Sequence, residues 1–178
     1  SLDKTESGRF VLIGGHDHAD STEVYCLDAN DPAAKPVLFS ARQKGLSYKV
    51  SDWGGAFFIL TNDDGEDFRI ASAPIAAPGR NNWREVIGHV PGRLILRMAI
   101  FAGHLARLER EDGLPRIVVR RLADGAEHDI AFNEAAYHLD MVPGFESGTT
   151  SLRFTYSSLA IPQCTFDYDM ETRERTLR

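Results

Sequence analysis

Cysteine, tryptophan and methionine are scarce in this chain, at two, two and three of its 178 residues, and the scarcities bound what it can be. Cys26 and Cys164 stand far apart and outside any CxxC pair, which excludes a dense disulfide framework and fits a reducing, cytoplasmic setting. No uninterrupted apolar run approaches the roughly 18 residues that a bilayer-spanning helix needs, so a membrane partner is not expected. The polar start Ser1-Leu2-Asp3-Lys4-Thr5-Glu6 reads as something other than a signal peptide. Blocks of basic residues are also missing, and 26 Asp and Glu against 20 Lys and Arg give a net charge of -6, which argues against nucleic acid as a partner. What is present is 43% hydrophobic, 10% aromatic and 26% charged residues, enough for one or two globular domains with a buried core and too apolar for wholesale disorder.

The apolar residues fall in short alternating runs divided by Gly, Pro, Asn and Asp, the pattern of an all-β chain. Strands are expected at 9–13, 22–27 and 35–39, then at 47–52, 56–61, 68–73 and 84–89. A third set follows at 94–100, 104–110, 116–121 and 127–132, and a fourth at 137–142, 151–157, 164–169 and 173–177. Asp52-Trp53-Gly54-Gly55 and Asn62-Asp63-Asp64-Gly65 read as hairpin turns. Aligning the second strand of each set brings Phe10, Phe57, His104 and Ser151 into register at a spacing of roughly 47 residues, in the range of propeller repeats. The fold class expected is therefore a β-propeller fragment of about four blades, each a four-stranded antiparallel sheet, over 9–46, 47–92, 93–134 and 135–178. The first blade lacks its opening strand in this reading, and residues 1–8 form an unstructured start. Met98 to Glu111 competes with that scheme, because Ile100, His104 and Leu108 fall on one helical face. Gly103 in mid-helix costs about 1 kcal/mol, and the repeat favours two strands with a turn at Ala102-Gly103.

No constellation of residues completes a catalytic apparatus. His16-Asp17-His18-Ala19-Asp20 alternates imidazoles and carboxylates as zinc hydrolase loops do, but the position of the next ligand holds Ser21. His89, His104, His128 and His138 are scattered, so a polar turn is the plainer account and no metal is assigned. Gly144-Phe145-Glu146-Ser147-Gly148 puts its serine one place too late for a nucleophile elbow. No glycine-rich stretch opens a helix to cradle phosphate, and no cofactor is expected. Asp63-Asp64-Gly65-Glu66-Asp67 lacks calcium-loop spacing and reads as a solvated hairpin tip. Arg120-Arg121 and Arg173-Glu174-Arg175 read as outward surface charge, and Trp53, Trp83 and Tyr156 as packing residues between sheets.

The carboxyl-terminal words Tyr156-Ser157-Ser158-Leu159-Ala160-Ile161-Pro162 and Phe166-Asp167-Tyr168-Asp169-Met170-Glu171-Thr172-Arg173-Glu174-Arg175 resemble the last propeller blade of the prolyl oligopeptidase family, and within it the oligopeptidase B (protease II) branch. Colinear matches include His18 to Val24, Thr61-Asn62, Asp67 to Ile70, Trp83 to Ile87, Glu109 to Leu114, Ile130 to Tyr137 and Leu152 to Tyr156. Ala160-Ile161 and Val142-Pro143-Gly144-Phe145 depart from the family's usual loops. The resemblance implies the later part of a seven-bladed propeller attached to an α/β-hydrolase domain that carries a Ser, Asp and His triad. No triad, oxyanion or specificity residue of the family maps onto these positions, so catalytic, cofactor-binding and metal residues are all assigned as none.

The function so implied is the non-catalytic, substrate-gating part of a serine oligopeptidase that cleaves short peptides after Arg or Lys. The partners implied are those peptides, the remaining blades and the hydrolase domain. The alternatives are a standalone propeller-like binding scaffold and, less favoured, a small metal-dependent hydrolase using His16, His18 and Asp20. Opening a ring of blades exposes sheet edges, so self-association or marginal stability of the isolated chain is expected.

Overall fold

The computed structural model describes residues 1–16, 21–142 and 148–178, with His16 described by its backbone alone. Among the described residues, sixteen strands form four four-stranded antiparallel sheets, each in simple sequence order. Sheet I comprises β1 (Leu2–Lys4), β2 (Phe10–His16), β3 (Thr22–Asp28) and β4 (Val37–Leu38); sheet II comprises β5 (Tyr48–Trp53), β6 (Ala56–Thr61), β7 (Arg69–Pro74) and β8 (Arg84–Ile87). Sheet III comprises β9 (Arg93–Phe101), β10 (His104–Glu111), β11 (Leu114–Arg121) and β12 (Glu127–Asp129); sheet IV comprises β13 (Tyr137–Met141), β14 (Ser151–Ser158), β15 (Cys164–Asp169) and β16 (Arg175–Leu177). One short 3-10 turn, Arg80–Asn82, precedes β8. Serial four-stranded meanders of this kind are the blades of a propeller.

Two expectations are corrected. The first sheet has its opening strand, because Leu2, Asp3 and Lys4 pair with Ile13, Leu12 and Val11. Residues 1–8 are therefore structured: Gly8 N donates to the Thr5 carbonyl at 2.8 Å, turning the chain from β1 into β2. Three fully exposed residues, two of them charged, carry no hydrophobic alternation, so only the pairing partner marks that strand. The turn after β6 is also longer than a tight hairpin, since Thr61 and Arg69 are partners across seven intervening residues.

The disputed stretch from Met98 to Glu111 is two strands. Ala102 and Gly103 take φ of 47° and 74°, the left-handed pair that a two-residue hairpin requires. His104, Ala106 and Leu108 face one side of β10 while Leu105, Arg107 and Glu109 face the other, and all six are buried. Burial on both faces explains why the segment lacks polar alternation. Register between β9 and β10 shifts at Leu108/Glu109, where β9 carries an extra residue, Leu96.

The sheets form two compact units, residues 1–91 and 92–178. In unit 1, Phe10, Cys26 and Phe39 of the sheet I region meet Tyr48, Phe57, Ile59 and Trp83 of the sheet II region in one apolar layer. Phe57 is central, with ring centres of Phe10 and Phe39 at 4.8 and 4.9 Å. In unit 2 the layer is mostly aliphatic, with Ala106, Leu108, Ile117 and Val119 of sheet III against Leu139, Leu152 and Phe154 of sheet IV. Trp83 and Tyr156 pack as expected, at 6% and 3% exposure, whereas Trp53 at its hairpin is only partly buried.

Candidate functional site

Polar groups gather in each unit where strands run on past the apolar layer. In unit 1 the turn after β6 folds Asp63 inward, to 7% exposure. Its carboxylate pairs with Arg80 through both oxygens and stands 3.5 Å from Arg69 Nη2, while Arg69 Nε donates to the Asp63 carbonyl at 2.8 Å. Arg80 also reaches Gln43 Oε1 at 2.7 Å, and its hydrogen bond to Asp63 holds the guanidinium above its ordinary pKa. The solvated tip expected over 63–67 is thus corrected at Asp63, whose ion partners lie six and seventeen residues away. Asp52 is likewise buried and accepts the Ser7 hydroxyl on both oxygens, at 2.8 and 2.9 Å, which ties the turn after β1 to β5.

Unit 2 builds a larger cluster on β10 and β11. Glu109, fully buried, accepts from Arg107 Nε at 2.8 Å and Arg116 Nε at 2.6 Å, with Arg93 Nε at 3.8 Å. Arg107 continues to Glu127 through two bonds of 3.0 and 3.1 Å, and Glu127 also accepts from Arg120. Burial alone opposes the Arg107 charge, but its hydrogen bonds to Glu127 and Glu109 outweigh that and raise its pKa. The same bonds, with those from Arg120, lower Glu127 against the effect of its burial. Arg120 and Arg121, expected as plain surface charge, are both ion-paired, Arg121 to Asp124 at 3.0 Å. Sequence reasoning missed this network, although Arg107 and Glu109 two apart on a strand share a face and so announce a pair.

The residues weighed for catalysis are placed as follows. His18, Asp20, the His16 side chain and the 143–147 stretch lie outside the described residues. Among the described residues no group of three or more His, Cys, Asp and Glu could hold a metal ion. His104 is buried, with Nδ1 at 2.9 Å from the Ala102 carbonyl and Nε2 at 3.3 Å from Glu171 Oε1. A carbonyl only accepts, so Nδ1 carries a proton. His89 Nε2 stands 3.7 Å from Asp67. Cys26 is free and buried, and burial pushes its thiol pKa up, away from a nucleophilic thiolate. What these groups do is brace: Asp63, Arg69, Arg107 and Glu109 each meet an opposite charge, Asp52 is held by the Ser7 hydroxyl, and the opening strands β9 and β13 are joined by Arg97 to Asp140 at 3.4 Å.

Comparison with known proteins agrees with that architecture. Residues 1–178 match the family described as prolyl oligopeptidase, N-terminal beta-propeller domain. Dipeptidyl aminopeptidase BI of Pseudoxanthomonas mexicana is 30% identical over 98% of this chain and 24% of its own length. Protease 2 of Moraxella lacunata is 26% identical over 98% of the chain and 24% of its own length. Among solved structures, oligopeptidase B from Leishmania major superposes with a TM-score of 0.88 at 24% identity, covering 99% of this chain and 26% of that one. Oligopeptidase B from Trypanosoma brucei, in a closed form with covalently bound antipain, gives 0.87 at 23% identity, with the same coverage of 99% and 26%. The chain spans about a quarter of the length of these proteins. Four serial four-stranded sheets and a family match from end to end lead to one assignment: the chain belongs to the prolyl oligopeptidase family, within its N-terminal β-propeller domain.

Proposed function

We propose that these residues are the non-catalytic, substrate-gating portion of a serine oligopeptidase that cleaves short peptides after Arg or Lys. The observation that carries the reading is the family match over residues 1–178, joined to a fold whose buried ion pairs at Glu109 and Asp63 tie strands and turns together. A rigid propeller set over a hydrolase site excludes folded substrates by size, while acyl transfer proceeds on a Ser, His and Asp set supplied by the hydrolase domain. The opening strands of blades face the channel of a propeller. In unit 1 these strands expose Lys4 and Lys49, and in unit 2 Arg97 and His138, polar residues suited to contact with peptides.

The whole protein that carries these residues is the object to test. Arg- and Lys-containing peptides of about ten residues, a folded protein of the same composition, and an amino-terminal dipeptide amide are offered in parallel, with fluorophosphonate labelling of the reactive serine. Cleavage after Arg or Lys in the short peptides alone supports the reading. Release of dipeptides from free amino termini replaces it with the activity that the name of the 30% identical relative states. Absence of a reactive serine leaves a binding scaffold. The isolated chain self-associates in this reading, because Leu2 on β1, Val37 on β4 and Leu177 on β16 are 72%, 46% and 60% exposed at sheet edges. Sedimentation that stays monomeric at high concentration refutes that part. No helix among the described residues is long and apolar enough to cross a membrane, and the free cysteines support a cytoplasmic location.

A further inference from the structure

At the outer edge of sheet IV stand two guanidinium groups that form no salt bridge among the described residues; the Glu134 carboxyl, held below its ordinary pKa first by a hydrogen bond from Tyr156, also feels the charge of Arg175. Arg173 follows a turn in which Asp169 Oδ1 accepts from the backbone of Glu171 and Thr172 at 2.8 and 2.9 Å. Its own N–H donates to the Asp169 carbonyl at 2.8 Å, which leaves Arg173 left-handed at φ 65°. Arg175 lies with its guanidinium carbon 5.1 Å from the ring centres of both Phe132 and Phe166, and Nη1 reaches the Ala131 carbonyl at 3.4 Å. Rings that take the guanidinium faces leave its edge N–H groups available to a ligand.

Two clefts meet at Arg175. One is lined by Arg173, Arg175, His128, Asp129 and Tyr168, and the other by Phe132, Tyr156, Ile161 and Phe166 with Glu134. Ala131 and Arg175 belong to both. In the first, His128 Nε2 is buried with no hydrogen-bond partner. With His128 neutral, the two arginines against Asp129 leave one net positive charge in this first cleft, which matches a monoanion, while the other carboxylate, Glu134, lines the second cleft. The second cleft is walled by Phe132 stacked on Tyr156, with ring centres 4.6 Å apart, and by Phe166.

We propose that these joined clefts bind the carboxyl terminus of a peptide, its α-carboxylate on Arg173 and Arg175 beside His128 and an apolar terminal side chain against Phe132, Phe166 and Tyr156. The fork of a guanidinium matches a carboxylate in bidentate fashion, and two such groups on one cleft orient it. A phosphate dianion would meet Asp129 with a charge too many. The inference concerns binding alone and does not rest on the peptidase reading.

The test is calorimetric titration of the whole protein, its reactive serine first blocked by a fluorophosphonate if one is present. The titrants are N-acetyl-Gly-Phe, its carboxamide, N-acetyl-Asp-amide and inorganic phosphate. The free acid is expected to bind about tenfold or more tightly than the amide. Arg173→Gly and Arg175→Gln each lose about tenfold in affinity for the free acid, the worth of a charged contact. Arg173→Gly also melts no lower, since glycine takes a left-handed position without strain, so its lost binding is not lost folding. His128 provides a second readout. Burial, then Arg173 and His104, hold its pKa below the ordinary value, with Asp129 opposing and Arg121 adding. Bound free acid raises that pKa in an NMR titration and the amide does not. Equal binding of acid and amide, tighter binding of phosphate or of the Asp side chain, wild-type affinity in Arg173→Gly, or no binding at millimolar peptide would each overturn the proposal.

Discussion

The two units solve one problem with different materials. Both join a pair of four-stranded sheets through an apolar layer, yet unit 1 centres its rings on Phe57, between its two sheets, while unit 2 sets aliphatic chains of sheet III against sheet IV and gathers its rings around Phe132 and Tyr156. The ionic bracing is reversed in scale. Unit 1 gathers two arginines on Asp63, and unit 2 runs a chain of arginines and glutamates along β10 and β11. Rings meet edge to face and fix sheet spacing by shape. Unit 2 adds a second fixed point in the fan of guanidinium groups on Glu109. The repeat thus conserves strand order, and each unit finds its own way to lock it.

The sharpest break of that contrast is removal of the central ring. Phe57→Ala leaves a cavity among Phe10 and Phe39 and is expected to cost about 3–5 kcal/mol, read in urea denaturation; hydrogen exchange that rises in β6 and stays protected in β14 keeps the loss within unit 1. Next comes the charge centre of unit 2. Glu109→Gln strands Arg107 and Arg116 beside a neutral amide and costs about 3 kcal/mol, while the swap Glu109→Asp restores part of it; a neutral effect would mean that the network is ornamental. Asp63→Asn tests the smaller brace of unit 1, at about 1–3 kcal/mol.

A pH titration sharpens the comparison further at Asp167 of sheet IV, which takes two arginines where Asp28 of sheet I takes Arg9 alone. Hydrogen bonds from Arg153 lower the Asp167 pKa from 3.8 to about 2, with Arg178 adding to the effect. A carboxyl whose pKa is lower when folded binds fewer protons in that state, so its stabilisation is complete above about pH 4 and fades as pH falls towards 2. With Arg153 and Arg178 partly solvated, the change is about 1 kcal/mol, and Asp167→Asn should flatten that part of the stability curve. The smallest effect lies in matching hairpins. Gly54-Gly55 joins the first two strands of sheet II, and Ala102-Gly103 those of sheet III, all at positive φ. Gly54→Ala should cost, and Ala102→Gly should gain, up to about 1 kcal/mol by thermal melting.

Strand order was legible because it is local. Gly54-Gly55 and Ala102-Gly103 mark their turns in the sequence, and the second strand of sheet II carries an apolar run that is buried on both faces. Asp63 and the start of the chain were not legible, for a common reason. Asp63 looks like any acidic turn residue until Arg80 arrives from beyond β7, and Leu2–Lys4 becomes a strand only when Val11 to Ile13 offers its edge. The Arg173 and Arg175 clefts were hidden likewise. On an edge strand two arginines read as solvent-facing charge, and their lack of a salt bridge among the described residues appears only once the neighbours are placed.

The single extra residue in β9 has a meaning beyond its local geometry. With the register shifted, Leu96 packs on the core shared with sheet IV while its immediate neighbour Arg97 reaches Asp140 and the Met141 carbonyl of that same sheet. An unbroken strand sends adjacent side chains to opposite faces, so it could supply one of those contacts and not both. A lineage that copies one blade to make the next inherits identical wiring; one inserted residue rewrites the phase locally and gives a blade a recognisable neighbour without touching its other strands. In a ring assembled from near-duplicates, such a slip in phase acts as an address, telling one blade which copy belongs beside it.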